Sequence, residues 1–209
     1  MDAGLETLKL ETVIYDRFAA FYDRAFAPLE RGFLKRWRAE TADLLPENAR
    51  LLEIGSGTGA TFPFYPKSEK AAVASEISFK MLEIAGRKTG EIHLVQADAE
   101  DLPFQVDYFD AAFATLVFCS IPKPEKAFAE LRRVVKPGGR IVLLEHVRPK
   151  GALGRCFDFL SIFTEALIED HFNRETAQTA AEAGLKILEV REKAFGIINL
   201  IVCVNEKKG

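Results

Sequence analysis

Short apolar runs alternate with amphipathic segments through the middle of the chain. The first run, Leu51–Ile54, stops at a cluster of glycines, which predicts a short strand. Similar runs over residues 71–77, 92–97, 110–116 and 140–146 predict four more strands, and residues 79–88 and 125–135 have helical patterns. Strands that alternate with helices are typical of a doubly wound α/β fold, in which helices cover both faces of a mostly parallel sheet.

The first 45 residues have helical patterns. An apolar stripe at helical spacing, which Pro28 is expected to end, consists of Val13, Phe18, Phe21, Tyr22 and Phe26. A second helix is predicted over residues 29–45, and its apolar side consists of Leu29, Phe33, Trp37, Leu44 and Leu45. The basic residues of this helix, Arg31, Lys35, Arg36 and Arg38, are interpreted as a solvated face.

The end of the chain departs from the alternating pattern. Residues 151–170 form an apolar helical insertion, and another helix is predicted over residues 174–183. Strand-like runs over residues 185–193 and 197–205 are close in sequence, which predicts an antiparallel edge and a seven-stranded sheet. We expect a single domain, in which a helical cap (1–45) precedes the core (50–147), a helical lid (151–183) and the terminal strands (185–205).

Composition narrows the class of protein. The chain has 209 residues, of which 48% are hydrophobic and 28% charged, so a single globular domain with a full core is expected and a disordered chain is excluded. Its net charge of −3 argues against nucleic acid as a partner.

The cysteines and the first residues suggest a compartment. Cys119, Cys156 and Cys203 are too few and too widely spaced for a disulfide framework or a zinc site, so we expect a reduced, cytoplasmic protein without a metal. Acidic residues precede any apolar run, which argues against a signal peptide, and no apolar stretch is long enough to span a membrane.

The strongest local signal is a glycine-rich loop over residues 53–60, Glu-Ile-Gly-Ser-Gly-Thr-Gly-Ala, directly after the first predicted strand. Such a loop lets the backbone approach a ligand closely, and we expect a helix to follow it. Gly55, Gly57 and Ala60 fit a dinucleotide-binding pattern, whereas Gly55, Gly57 and Gly59 fit G-x-G-x-G. Glu76, at the end of the next strand, can accept ribose hydroxyls in either case.

Further motifs in the same order distinguish the two patterns. The loop matches E/D-x-G-x-G-x-G at residues 53–59, and Asp98-Ala99, Leu102-Pro103-Phe104, Phe109-Asp110 and Lys136-Pro137-Gly138-Gly139 follow it. With these motifs the chain resembles the class I S-adenosylmethionine-dependent methyltransferases over about residues 12–150, which implies a Rossmann-like fold, S-adenosylmethionine as cofactor and S-adenosylhomocysteine as product. The cofactor residues that the resemblance implies are Tyr15, Tyr22, Glu53, Gly55, Gly57, Gly59, Glu76, Ile77, Asp98, Ala99, Thr115 and Leu116.

Finer resemblances point to several subgroups. Tyr15-Asp16 and Tyr22-Asp23 form a YD-x-x-A-x-x-YD segment similar to that of ubiquinone/menaquinone methyltransferases and phosphatidylethanolamine N-methyltransferases, where a helix folds over the cofactor. The residues from Thr115 to Ser120, together with Phe64-Tyr65-Pro66 and Glu145-His146-Val147, resemble the membrane-associated thiol methyltransferases of animals. Those proteins carry an N-terminal membrane anchor that we do not expect in this chain.

The acceptor side of the site is less clearly marked. His146, at the end of the fifth predicted strand, is the candidate base or substrate contact, with a role in the scaffold as the alternative. His93 and His171 are interpreted as structural or surface residues, and Cys119 as a small buried residue. The chain has 17 phenylalanines, and those near the N-terminus and in the insertion are expected in the core, in an acceptor pocket or at a lipid surface.

We therefore expect a methyltransferase that acts on a small lipophilic acceptor by in-line displacement. A peripheral contact between the protein and a membrane is compatible with such an acceptor. A thiol sulfur is favoured as the accepting atom, and a phospholipid amine or a quinone ring carbon are the alternatives. An NAD-dependent oxidoreductase and a non-catalytic cofactor-binding protein are the competing classes.

Overall fold

The structure, a computed structural model, describes residues 30–67, 71–146 and 176–207, together with residues 16, 19, 21–24, 27 and 28. Its centre is a seven-stranded sheet with the order β3-β2-β1-β4-β5-β7-β6. The strands are β1 (Leu51–Ile54), β2 (Ala72–Glu76), β3 (Ile92–Gln96), β4 (Phe109–Thr115), β5 (Val135–His146), β6 (Lys186–Lys193) and β7 (Ile198–Val204). Strands β1 to β5 are parallel, and β7 pairs antiparallel with both β5 and β6. The predicted fold class is confirmed.

Besides the helical residues described between positions 16 and 28, four α-helices lie within residues 30–146 and 176–207. They are α1 (Lys35–Asp43), α2 (Phe79–Gly86), α3 (Pro124–Val134) and α4 (Thr176–Glu182). A wide π-helical turn, Glu30–Leu34, leads into α1, and short 3-10 turns occur at Phe62–Phe64 and Ala194–Gly196.

Apolar side chains cover both faces of the sheet. On one face Ile141 and Leu143 of β5 belong to the same buried cluster as Phe128 and Leu131 of α3. On the other face Val142 and Leu144 cluster with Leu45, just beyond α1. Because successive side chains of a strand point to opposite faces, this double cover explains why the central strands read as continuous apolar runs.

The N-terminal helical pattern was only partly right. Residue Pro28 lies in helical backbone and so does not end it. In the stripe assigned to the second helix, Phe33 is 67% exposed and its neighbour Leu34 is buried instead, whereas Trp37, Leu44 and Leu45 pack in the core as expected. Phe33 lies in the π-helical turn, which holds more residues than an α-helical turn and so changes the faces that its side chains take.

Two further expectations need correction or fall outside the described residues. Strand β5 begins at Val135 rather than at residue 140, since Gly138 donates its N–H to the carbonyl of Asn205 and Asn205 donates to Gly139. Phe21, expected in an apolar stripe, is 67% exposed. Residues 151–175, Tyr15, Phe18, Phe26 and His171 lie outside the described residues, so the lid and the division into cap, core and lid stay predictions.

Candidate functional site

Parallel strands bring the predicted cofactor residues to one edge of the sheet. Residue Glu53 lies near the end of β1, Glu76 ends β2, Asp98 follows β3 and Thr115 ends β4. His146 ends β5 on the same edge. In open α/β sheets ligands bind outside the carboxyl ends of the strands, so these side chains lie at an edge where a ligand can bind.

The three glycines of the loop are required for different structural reasons. All three have positive φ angles, of 62° at Gly55, 54° at Gly57 and 81° at Gly59. A Cβ on Gly55 would lie 2.5 Å from Val117 Cγ1, and one on Gly59 would lie 2.5 Å from the ring of Phe62. A Cβ on Gly57 would meet no atom within 4 Å. Gly57 therefore borders open space, where a ligand can approach the backbone.

Within the described residues 55–67 a single 3-10 turn at Phe62–Phe64 takes the place of the helix expected after the loop. Pro66 limits the length of this turn, since the residue before a proline is driven out of the helical region, and Tyr65 has a ψ angle of 134°.

Glu76 is a buried carboxylate held by backbone. Its Oε2 accepts the N–H of Gly57 at 2.9 Å, and its Oε1 accepts the N–H of Ser78 at 2.9 Å. Burial raises the pKa of Glu76, and these backbone hydrogen bonds counteract part of that effect. Each carboxylate oxygen has a second lone pair, so Glu76 can still accept a hydroxyl from a ribose.

Glu53 is fully buried on the sheet face that packs against Tyr65. The Tyr65 hydroxyl donates to Glu53 Oε2 at 2.6 Å, but no described residue donates to Oε1. Burial raises the pKa of Glu53 to about 7, against the opposing effects of Tyr65, Thr61 and Arg38. A buried carboxylate oxygen without a donor indicates a place for a donor on a ligand.

The adenine side of the predicted site is a tight turn after β3. Asp98 Oδ1 accepts the N–H of Glu100 at 2.9 Å, and Ala99 packs against the core. Arg133 of α3 donates to the carbonyls of Leu102 and Phe104 at 2.8 and 2.7 Å, which fixes the following loop. Residue Ile77 is half-buried, and its carbonyl accepts a hydrogen bond from the Gln96 side chain.

The loop after β4 is held in a strained conformation. Leu116 has a φ angle of 60°, which is uncommon for a residue with a large side chain. Glu145 of β5, completely buried, accepts the N–H groups of Val117 and Phe118 at 3.1 Å through Oε2. Since Val117 packs on Gly55, Glu145 fixes the wall of the cofactor loop.

Arg38 was missed by the sequence analysis, which assigned it to a solvated face. It is 6% exposed, and its Nη1 donates to the hydroxyls of Thr61, at 3.2 Å, and Thr115. The spacing of the buried residues Leu34, Arg38, Thr41 and Leu45 is that of one helical stripe and could have identified it.

The two acids of the N-terminal YD segment contact the walls of the site. Asp23 Oδ1 accepts the hydroxyl of Thr58 at 2.5 Å, and Asp16 Oδ1 accepts the hydroxyl of Ser78 at 2.5 Å. Tyr22 is half-buried, and Tyr15 lies outside the described residues. Asp16 and Asp23 therefore lie against the start of α2 and the glycine loop, respectively.

His146 is half-buried, and burial lowers its pKa, so the imidazole is neutral at neutral pH. By strand alternation His146 shares a face with Leu144, the face that Thr115 and Glu53 also occupy. His93 is exposed and Cys119 is buried, as predicted. Burial raises the pKa of Cys203 to about 12, so this thiol is unreactive.

Within residues 30–67, 71–146 and 176–207 and the few described before them, no group of His, Cys, Asp and Glu could hold a metal ion. No helix among the same residues is both long and apolar enough to cross a bilayer.

Comparison with known proteins gives the same class as the fold. Residues 52–143 match a methyltransferase domain family. The chain is 35% identical over 149 residues to a demethylmenaquinone methyltransferase of Clavibacter sepedonicus, an alignment that covers 69% of this chain and 61% of the relative. It is 34% identical over 149 residues to a ubiquinone/menaquinone biosynthesis C-methyltransferase of Vibrio parahaemolyticus, covering 65% and 57%. The chain thus spans about 60% of the length of these relatives.

Among solved structures, a SAM-dependent methyltransferase from Thermotoga maritima superposes with a TM-score of 0.72 at 25% identity, covering 93% of this chain and 99% of that one. The matched residues 52–143 contain β1 to β4, most of β5 and the predicted cofactor residues Glu53, Glu76 and Asp98. The chain therefore contains a methyltransferase domain of the class I S-adenosylmethionine-dependent type, and its relatives in sequence include quinone methyltransferases.

Proposed function

We propose that this chain transfers a methyl group from S-adenosylmethionine to a small apolar acceptor. The observation that carries the proposal is the meeting of Glu53, the open loop at Gly57 and Glu76 at one edge of the sheet. These groups fit the cofactor chemically, because it has a cationic amino group, two ribose hydroxyls and a flat base.

The residues that hold the cofactor follow from this fit. Glu76 accepts ribose hydroxyls, Asp98 and Ala99 flank the base, and the open backbone at Gly57 lets the cofactor approach. Glu53, with its Oε1 lacking a described donor, accepts from the amino group. When bound, the cofactor supplies an electrophilic methyl group on a sulfonium sulfur, and the protein supplies alignment and a dry site.

His146 is the proposed base on the acceptor side. A neutral imidazole can accept a proton from the acceptor, and burial keeps His146 neutral at neutral pH. Its face of the sheet is the one that carries Thr115 and Glu53, so it is positioned to border the same cleft. The N-terminal segment, through Asp16 and Asp23, helps to exclude water from this cleft.

A reduced quinone ring is the first acceptor to test. The relatives that match over some 150 residues are named as demethylmenaquinone and ubiquinone/menaquinone C-methyltransferases. A hydroquinone is lipophilic, and its ring carbon becomes nucleophilic when a neighbouring hydroxyl loses its proton. His146 would serve that step as the proton acceptor.

A small thiol is the second candidate. It is supported by the resemblance around residues 115–120 and 145–147. That support is limited, because Glu145 hydrogen-bonds the N–H groups of Val117 and Phe118 and so shapes the loop. These residues support the structure of the site and give little information about the acceptor.

The first test is calorimetric titration with S-adenosylhomocysteine and, in parallel, with NAD. Binding of the former without the latter is expected. Transfer is then measured with methyl-labelled S-adenosylmethionine and three acceptors, a short-chain naphthohydroquinone, a small aliphatic thiol and phosphatidylethanolamine vesicles. Label on the ring carbon supports the quinone proposal, and label on sulfur or nitrogen replaces it. Binding without transfer to any acceptor favours a non-catalytic cofactor-binding protein, and binding of NAD alone contradicts the proposal.

A further inference from the structure

The described residues include three exposed phenylalanines, whereas every other phenylalanine whose burial is described is buried or half-buried. Phe21 and Phe33 are each 67% exposed, and Phe79 is 56% exposed. Phe79 begins α2, three residues after β2 ends at the carboxyl edge of the sheet. Phe21 lies two residues before Asp23, which contacts the glycine loop. Both rings therefore lie at the edge where the predicted cofactor residues meet.

Phe33 lies at the same edge because of the direction of α1. Near the start of this helix, Arg38 donates to the hydroxyl of Thr115 at the carboxyl end of β4. At its end, the Leu44 carbonyl accepts a hydrogen bond from Arg140, in the part of β5 away from that edge. Helix α1 thus runs antiparallel to these strands, and the π-helical turn that precedes it, which contains Phe33, projects beyond their carboxyl ends.

The exposed ring of Phe33 continues into the core. It stacks on Trp37 with a distance of 5.8 Å between the ring centroids. Trp37 is half-buried and packs against the cluster that contains Val142 and Leu144. His146 shares this face of the sheet by strand alternation, so Phe33 lies outside the face that carries the proposed base.

The π-helical turn and the start of α1 are positively charged. Residues 30–38 contain four basic side chains and one acidic side chain. The acid, Glu30, forms an ion pair with Arg38. The other three basic side chains are exposed, and they are Arg31, Lys35 and Arg36. This local excess of positive charge contrasts with the net charge of −3 of the whole chain.

An isolated exposed apolar residue is common on soluble proteins, but aromatic rings beside lysine and arginine at one edge are typical of a surface that lies on a membrane. Basic side chains are attracted to anionic lipid head groups, and aromatic rings are buried at the level of those head groups. A two-fold dimer through the same surface is disfavoured, because it would place the positive charges of two copies against each other.

We propose that this edge of the protein docks on an anionic bilayer, with Phe33 inserted among the lipids and Arg31, Lys35 and Arg36 against the head groups. The open cleft then faces the phase in which a lipophilic acceptor dissolves. That consequence rests on the proposed function, whereas binding to lipid does not require cofactor or acceptor. The two proposals can therefore fail separately.

The first experiment measures sedimentation of the protein with vesicles of phosphatidylcholine alone and with vesicles that contain about one third phosphatidylglycerol. We expect partitioning onto the anionic vesicles, little onto the neutral ones, and a decrease as salt rises from about 0.1 to about 0.5 M. The triple variant Arg31→Gln/Lys35→Gln/Arg36→Gln should lower the partition coefficient at least about tenfold, because each basic residue near an anionic surface contributes to the attraction.

A second pair of variants tests the apolar contact. Phe33→Ser should lower partitioning onto anionic vesicles about tenfold, since the inserted ring is lost. Val106→Ser is the matched control, because Val106 is 59% exposed but precedes β4, at the opposite edge of the sheet. Phe79→Ser provides a second test at the docking edge should Phe33→Ser disturb the π-helical turn. Thermal unfolding and affinity for S-adenosylhomocysteine are expected to stay near wild type in all three variants.

Kinetics then connect docking to the acceptor. Phe33→Ser should raise KM about tenfold for a long-chain naphthohydroquinone held in anionic vesicles, and leave KM for a soluble short-chain analogue unchanged. An equal change with both acceptors would place Phe33 in the acceptor site and overturn the docking proposal.

The vesicle experiment has three further outcomes that overturn the proposal. They are equal partitioning onto neutral and anionic vesicles, equal partitioning of Phe33→Ser and Val106→Ser, and a dimer in light scattering that Phe33→Ser disperses, which would assign the surface to a second copy of this chain. Absence of methyl transfer to every acceptor contradicts the proposed function instead, and leaves the vesicle result unaffected.

Discussion

At the scale of single residues, the glycines of the loop differ in role, since packing requires two of them and the third leaves room for a ligand. Gly55 and Gly59 leave no room for a side chain because Val117 and Phe62 occupy the space. Gly57 has room, yet its φ angle of 54° is also left-handed. The same motif thus contains two positions set by the fold and one that borders the cleft.

Substitution by alanine should separate these roles. We expect Gly57→Ala to cost about 1–2 kcal/mol of the free energy of unfolding, from backbone strain alone, and to reduce affinity for S-adenosylhomocysteine because the new methyl group enters the cleft. Gly55→Ala should be more destabilising, since Val117 must also move. Urea unfolding and calorimetry check both variants. Equal losses of stability would contradict the distinction.

His146→Ala tests the assignment on the acceptor side. We expect turnover to fall about 100-fold or more, which is the usual scale of general acid–base catalysis, while affinity for S-adenosylhomocysteine stays near wild type. Because burial lowers the pKa of His146, wild-type turnover should persist somewhat below pH 6.5 before protonation of the imidazole reduces it. Exposed His93 provides the control substitution, His93→Ala. A wild-type rate for His146→Ala would show that His146 has only a structural role.

At the scale of elements, β5 supports the loop that follows β4. Glu145 accepts the N–H groups of Val117 and Phe118, and Leu116 donates its N–H to the carbonyl of Leu144 at 2.7 Å. The strained backbone at Leu116 is thereby held by the neighbouring strand. The loop that forms this wall of the cleft is therefore held by hydrogen bonds to β5, the neighbouring strand of the sheet.

Removal of the Glu145 carboxylate should loosen that wall. We expect Glu145→Ala to lower the free energy of unfolding by about 1–3 kcal/mol, because two buried N–H groups lose their acceptor. Amide hydrogen exchange at Val117 and Phe118 should accelerate in the same variant. Glu91→Ala, at an exposed position before β3, is the control. Unchanged exchange at both amides would show that Glu145 does not hold the loop.

Strand positions were predictable to within a few residues, whereas helix faces were less so. The runs around Leu52, Ala112 and Leu143 are apolar on both sides because helices cover both faces of the sheet, and that pattern is visible in sequence. The π-helical turn before α1 has no clear sequence signal, so Phe33, which lies in that turn, was assigned to the buried side. Arg38 was assigned to solvent from its charge, although its spacing from Leu34, Thr41 and Leu45 places it on the buried stripe.

At the scale of the whole molecule, two buried acids connect stability to pH. Burial raises the pKa of Glu53 to about 7 and also raises that of Glu76, while in the unfolded chain both lie near 4.5. The folded protein then holds more protons than the unfolded chain between about pH 4.5 and 7. Its stability therefore falls as the pH rises through this window.

Glu53→Gln removes the larger part of this dependence. We expect the unliganded variant to be more stable than wild type at pH 8, by up to about 3 kcal/mol, and the difference to vanish near pH 4. Thermal unfolding from pH 5 to 8 measures it. Saturating S-adenosylhomocysteine should stabilise wild type more than the variant at pH 8, because only wild type offers a carboxylate to the ammonium. A constant difference across the pH range would contradict the assignment to Glu53.

The edge of the sheet at which the predicted cofactor residues meet was also predictable, because it depends on strand order and on glycines with a fixed spacing. The contacts of Arg38 with Thr61 and Thr115 were not, since they join residues from three parts of the chain that are neighbours only after folding. Sequence motifs predict the groups that meet the cofactor. The groups that set the charge of those residues emerge from tertiary packing.

The contacts of Asp16 and Asp23 have a kinetic consequence. Asp23 accepts a hydrogen bond from Thr58 in the glycine loop, and Asp16 accepts one from Ser78 at the start of α2. Residues of one N-terminal segment therefore contact both walls of the cleft. On the proposed function, S-adenosylhomocysteine would leave between these walls, and both hydrogen bonds would first have to break, together with the ion pair from Asp23 to Lys88. Salt, which screens that ion pair, would then shorten the residence time of the product.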